Sequence, residues 1–194
     1  MLEQGTFQGV RILALDPGTS TMGFAPLIVF PETREIRAVG VFTHNADRAL
    51  KDMREIEGVH GSRMSRLMAH ANCMANLLNT FRPDYIIAES PFAKRRFPNA
   101  YGALCECLQT VRMTAFNYRP FLPFEVIDPV SAKQNLGVGK GKGKRAELKD
   151  KSLVMQAVLN RGDLSFDEYC VMDEHSYDAT AIGLYFIDNQ LFSQ

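Results

Sequence analysis

Three acidic residues sit where an α/β chain can bring their side chains together. Asp16 closes the aliphatic run Val10 to Asp16 (VRILALD), Glu89 closes Tyr85 to Glu89 (YIIAE), and Asp178 follows His175 by three residues near the C-terminal end. Two carboxylates ending core strands, with a histidine and an aspartate one helical turn apart on a third element, would gather hard donors at one place. Such donors suit Mg²⁺ or Mn²⁺, which bind few carboxylates and leave room for water and phosphate oxygens. Two such ions roughly 4 Å apart activate a water and stabilise the leaving oxygen when a phosphodiester is hydrolysed. Each residue also has a plainer reading. Asp16 precedes Pro17-Gly18 and can simply open a turn. Asp173 and Glu174 suit the N-terminal dipole of a helix, and His175 alone reads as a satisfied polar residue. Glu89 is harder to explain away, because it directly follows Ile86-Ile87-Ala88, where an unpaired charge is costly.

The elements that must position these residues follow from hydrophobic periodicity. Val10 to Asp16 is a strand ending on a Pro-Gly turn signal, and Gly23 to Phe30 and Glu35 to Phe42 are two further extended runs. Together they predict a three-strand antiparallel meander. From Ser62, an N-cap residue, Met64, Leu67, Met68, Ala71, Met74, Ala75 and Leu78 recur with helical period until Pro83. Tyr85 to Glu89 is a second core strand, Asn99 to Asn117 a helix, and Phe124 to Asp128 a third core strand. Helices over about Ala146 to Leu159 and Asp173 to Asp188 follow. The order predicts an α/β protein with a mixed five-stranded sheet, the meander plus two parallel strands, and helices on both faces. Residues 43 to 61 show no clear pattern.

The 194 residues, 46% of them hydrophobic, predict one domain spanning 1–194. Lys and Arg number 22, as do Asp and Glu, so global charge neither favours nor excludes a polyanionic partner. Local clusters do speak to it. Lys133 to Lys151 is strongly basic and carries alternating glycines from Gly137 to Gly143, and Lys94-Arg95-Arg96 follows Glu89 closely. Both suit phosphate contacts or, alternatively, a solvated face. Cys73, Cys105, Cys107 and Cys170 lack the spacing of a zinc site and read as free thiols in a reducing cytoplasm. With no signal-like segment and no long apolar run, a soluble cytoplasmic protein is expected.

Four segments, ILALDPGTSTMGFA, FRPDYIIAESPF, AKQNLGVGKGKGKRAEL and HSYDATAIGLYF, resemble in order the motifs of the RuvC family of Holliday-junction resolvases, from about residue 10 to residue 187. The resemblance implies an RNase H-like fold. It implies that Asp16, Glu89, His175 and Asp178 hold the metal, two Mg²⁺ ions per site with Mn²⁺ able to substitute. Phe92 matches an aromatic used at the junction centre. Lys133 matches the Lys-Gln segment, and Lys144 competes with Arg145 for the basic position nearest the scissile phosphate, with Lys144 favoured. Lys94, Arg95, Arg96, Lys140, Lys142 and Arg145 are then expected on DNA phosphates, while Asp173 and Glu174 become supporting or capping residues.

The implied activity is a structure-selective endonuclease that cuts four-way DNA by paired nicks, leaving 5′-phosphate and 3′-hydroxyl ends. Such cuts suit a twofold homodimer. The helix from Asn99 to Asn117 is the expected interface, because Leu104, Cys107, Leu108 and Val111 exceed a narrow core stripe. Nothing in the sequence supports a branch-migration motor as a further partner. Residues 43 to 61 and the Lys94-Arg95-Arg96 run depart from the family pattern and point towards a phage-encoded rather than a bacterial member. Three rival readings stand beside this one. They are a broader flap or fork nuclease, a nucleotide-binding protein of the actin and sugar-kinase type with Asp16-Pro17-Gly18-Thr19-Ser20 as phosphate loop, and a non-catalytic junction-binding protein. The second would need another phosphate loop and a longer chain.

Overall fold

Aliphatic residues at successive positions suit a strand covered on both faces, and Val10–Asp16 is such a strand, buried at the centre of a mixed sheet. The structure is a computed structural model that describes residues 9–51, 54–91, 98–138 and 144–192. In chain order the strands are β1 (Val10–Asp16), β2 (Thr21–Phe30), β3 (Glu35–Ala38), β4 (Phe42–Asn45), β5 (Tyr85–Glu89), β6 (Phe124–Ile127) and β7 (Leu164–Phe166). The helices are α1 (Ala46–Ala49), α2 (Arg54–Phe81), α3 (Pro98–Tyr118), α4 (Pro129–Asn135), α5 (Lys144–Leu159) and α6 (Glu174–Phe186), the last continuing into a π turn over Ile187–Leu191. The sheet runs β6-β5-β1-β2-β3-β7, with β4 pairing the start of β2. β5 and β6 are parallel to β1 and to each other in turn, whereas β2 is antiparallel to β1.

Alternation along the strands divides the core into two layers. Ile12, Ala14, Ala25, Leu27 and Ile87 point to the face covered by α4, α5 and α6, where they meet Ala132, Val154, Val158, Ala179 and Ile182. Leu13, Leu15, Met22, Phe24, Ile86 and Ala88 point to the other face and meet Leu67, Met74 and Leu78 of α2 and Cys107, Val111 and Ala115 of α3. Each fully buried aliphatic side chain of this kind contributes about 1.5–3 kcal/mol of burial free energy. The same parity continues into the acids. Asp16 follows Ile12 and Ala14, and Glu89 follows Ile87, so both emerge on the α6 side.

The predicted α/β architecture with helices on both faces is present, but the sheet has seven strands rather than five. The extended run from Glu35 breaks at Gly40, whose φ of 66° turns the chain, and continues as the separate strand β4. The break is held by Gly40 N–H donating to Asp167 Oδ1 at 3.0 Å and Val39 N–H donating to Pro26 O at 2.9 Å. β7 then adds parallel to β3, an addition the sequence did not announce. α2 begins before Ser62, yet Gly61 has φ 76° and ψ 156°, so the regular helix does run from Ser62 onward. α1 occupies part of the stretch that showed no pattern. The reading of Cys107 and Val111 as surplus interface residues is corrected, because both are fully buried within the chain. The four cysteines are free, Cys107 buried and the other three half-buried. Among the described residues no helix is long and apolar enough to cross a membrane.

A polar clamp ties the far ends of the helices together. Arg161, just after α5, bonds Asp163 through Nε at 2.7 Å and Asp188 through Nη2 at 2.6 Å. Asn135 at the end of α4 donates to the same Asp188 at 2.6 Å.

Candidate functional site

Asp16 and Glu89 close neighbouring parallel strands, one register step beyond the pair Leu15↔Ala88. Ligand sites of α/β sheets form at such carboxyl ends. The first turn of α6 is seated over this end by three features of the sheet beneath it. Gly23 lies opposite Asp16 in the β1–β2 ladder, and a Cβ there would collide with the backbone carbonyl of His175. Thr43, opposite Gly23 on β4, donates its hydroxyl to Asp173. Asp173 in turn is the N-cap of α6, accepting from Ser176 N–H at 3.0 Å in a reciprocal capping box.

His175, in the first turn, lies between two strands. Its Nδ1 is 2.8 Å from Asp16 Oδ2, and its Nε2 is 2.9 Å from Thr21 Oγ1. The Asp16 side chain is 14% exposed and that of His175 36%, so the contact is partly shielded from water. Donation of the His175 ring N–H to the Asp16 carboxylate raises the His175 pKa above its ordinary value against the opposing effect of burial.

The carboxylates strain against one another electrostatically. Burial, then the charges of Asp16 and Asp178, push Glu89 up to about 8, while Lys133 pulls it down and Asp128 adds to the rise. Burial and Asp16 push Asp178 up to about 6, again opposed by Lys133. Glu89 at neutral pH is therefore mostly protonated, the state in which crowded carboxylates relieve their repulsion. Three carboxylates and an imidazole, with Lys133 half-buried beside them, are a donor set that fits a hard divalent cation, which would replace those protons. Among the described residues, no three His, Cys, Asp or Glu side chains already surround a single point at coordinating distance. A shallow cleft lined by Pro17, Glu89, Ser90, Pro91 and Leu104 opens beside Glu89.

The structure thus brings together Asp16 and His175 in direct contact, and Glu89, Asp178 and Lys133 within each other's fields. Phe92, Lys94, Arg95, Arg96, Lys140 and Lys142 lie outside the described residues. Lys144 and Arg145 open α5, and their side chains also lie outside that part. Asp173 serves as a cap, and Glu174 forms an ion pair with Lys151.

Two residues of the site escaped the sequence reading. Asp128, which caps α4 by accepting from Ser131 N–H at 3.0 Å, also acts on Glu89. Asp-Pro at the end of a strand was its only signal. Thr21 shares strand parity with Gly23 and so faces α6. A third polar feature braces the turn after Asp16. Buried His70 holds Thr19 O through Nε2 at 3.2 Å and meets His44 Nδ1 through Nδ1 at 2.9 Å. Burial lowers the His70 pKa to about 4, so it remains neutral, donating to Thr19 and accepting from His44.

Against solved structures, Thermus thermophilus RuvC aligns with TM-score 0.62 at 21% identity, over 92% of this chain and 96% of that one. The fold is that of RuvC. The T. thermophilus RuvC complex with Holliday junction substrate aligns at TM-score 0.61 and 18% identity, over 91% of this chain and 92% of that one. The yeast mitochondrial Holliday junction resolvase aligns at TM-score 0.56 and 13% identity, over 92% of this chain and 79% of that one. No family model matches the chain. At these identities the likeness is one of fold, and the RuvC-like arrangement leaves the four expected ligands at the carboxyl end of the central strands.

Proposed function

We propose that the chain is a metal-dependent endonuclease that resolves Holliday junctions by paired nicks. The observation that carries this reading is the convergence of Asp16, Glu89, His175 and Asp178 at one end of a RuvC-like sheet, where burial and the neighbouring acids raise the pKa of both Glu89 and Asp178. T. thermophilus RuvC has been solved with a Holliday junction substrate, which supports the same substrate class here.

On this reading Asp16, Glu89, His175 and Asp178 hold Mg²⁺, with two ions per site and Mn²⁺ as a substitute. The bound metal would supply an activated water and charge neutralisation at the scissile phosphate. The chain's own residues do the remaining work. Lys133 offsets the negative field at Glu89 and Asp178, and with Lys144 or Arg145 it attracts the phosphate. Lys94, Arg95, Arg96, Lys140 and Lys142 bind the backbone without reading sequence, and Phe92 stacks on a base at the branch point. Hydrolysis leaves 5′-phosphate and 3′-hydroxyl ends. Two nicks related by a twofold axis call for a homodimer. Met64, Met68, Tyr101, Met113 and Phe116 are among the exposed apolar side chains of α2 and α3 available for its interface.

The test is cleavage of synthetic junctions, flaps, forks and duplex with Mg²⁺, beside the Asp16→Asn variant. Junction cleavage should fall by about a thousandfold or more in the variant while junction binding persists, in line with loss of metal-ion catalysis. Cleavage that survives Asp16→Asn would refute the metal site. Equal rates on every substrate would replace junction resolution by a broader branched-DNA nuclease.

A further inference from the structure

Thr21 has no part in the ligand set, yet its hydroxyl bonds the second nitrogen of the histidine that does. It is the first residue of β2, its backbone fixed opposite Asn45 on β4, and its parity with Gly23 and Ala25 aims it at α6. As a β-branched residue on a rigid strand it presents the hydroxyl in few rotamers. Both ring nitrogens of His175 are therefore engaged, Nδ1 by Asp16 and Nε2 by Thr21.

The two partners are not equivalent. A metal-binding histidine ligates through one nitrogen while the other donates its hydrogen to a fixed acceptor, which sets tautomer and ring orientation. Asp16 belongs to the carboxylate cluster, so the Asp16–His175 contact is where a cation would take the place of a proton. Thr21 lies on the opposite edge of the ring. A hydroxyl donates as well as accepts, so it can stay bonded to Nε2 whether or not that nitrogen carries hydrogen.

We infer that Thr21 is a positioning residue for His175: its hydroxyl holds the Nε2 edge in either tautomer. Nδ1 then faces Asp16 as a proton donor without metal and as a free lone pair once a divalent cation is bound. In the second state the neutral ring would carry its one hydrogen on Nε2, donated to Thr21 Oγ1, the proton lost from Nδ1 being exchanged through solvent for one on Nε2. This assignment rests on the proposed metal site.

The test compares Thr21→Val, which keeps shape and removes the hydroxyl, with Thr21→Ser, which restores it. Mn²⁺ affinity is read from the electron paramagnetic resonance of free ion, ring protonation from ¹⁵N spectra of His175 with and without Mg²⁺, and folding from thermal unfolding. Thr21→Val should weaken Mn²⁺ binding about 10- to 100-fold and mix the His175 tautomers, while Thr21→Ser stays within about threefold of wild type. Unchanged Mn²⁺ affinity in folded Thr21→Val, or a wild-type Mg²⁺ spectrum in which Nε2 lacks its hydrogen, would overturn the assignment. The spectrum serves even if the valine variant fails to fold. Should the wild type cut no branched DNA while Thr21→Val still loses Mn²⁺ affinity, the nuclease reading fails and the role of Thr21 stands.

Discussion

Glu89 binds a proton in the folded protein that it would release, at neutral pH, from an unfolded chain. Its folded pKa of about 8 lies above the ordinary 4.5, so the native state binds more protons than the unfolded state between those values. Stability of the metal-free protein therefore falls as pH rises through that window, with Asp178, at about 6, adding to the fall in its lower part. On the proposed reading Mg²⁺ would displace these protons, so its stabilising effect should grow with pH. Calorimetry should show Mg²⁺ raising Tm more at pH 8.5 than at pH 6, and Glu89→Gln should raise the metal-free stability at pH 8.5 by on the order of 2 kcal/mol. An equal Mg²⁺ effect at both pH values would contradict the crowded-carboxylate account. The main candidate residues were legible in the sequence because Asp16 and Glu89 close apolar runs and His175 and Asp178 share a helical face. Asp128 and Thr21 were not, since their importance comes from neighbours distant in sequence. Thr21 meets a histidine 154 positions away.

At the level of elements, α6 is the piece on which the site depends. It is buried along most of its length, and small residues let it approach the sheet closely: a Cβ on Gly183 would lie 3.0 Å from that of Ala14. Gly23 does the same for the first turn. Gly23→Ala should therefore push His175 off Asp16 and Thr21. It should lower stability by about 1–3 kcal/mol, as overpacking does, and junction cleavage by far more than the stability loss accounts for. Urea unfolding beside cleavage rates checks this. If activity merely tracks the folded fraction, the close seating of α6 is not what holds the site. Strands β1, β5 and β6 were legible as apolar runs between turn signals. β4 and β7 were not, because each depends on a remote partner: the break at Gly40 is held from Asp167, and Ile36 N–H bonds Asp163 O at 2.8 Å to start β7 beside β3.

For the molecule as a whole, the α6 layer is braced at its other end by the Arg161 clamp. Its side chain is 18% exposed and serves two carboxylates, and Asp188 and Asp163 hold its pKa above the ordinary value. Arg161→Met keeps most of the packing but leaves those acids without their guanidinium. A loss of roughly 3 kcal/mol is expected, measured by chemical denaturation. A loss below about 0.5 kcal/mol would show the clamp to be surface decoration. Much of this long-range organisation joins the two ends of the chain. Asp16 and His175 are separated by 159 positions, so a ribosome delivers Asp16 and Glu89 long before the helix that completes their site. During synthesis the growing polypeptide carries carboxylates without their histidine. If the chain cuts DNA as proposed, that capacity appears only when α6 emerges and docks, and order of translation acts as a safety catch.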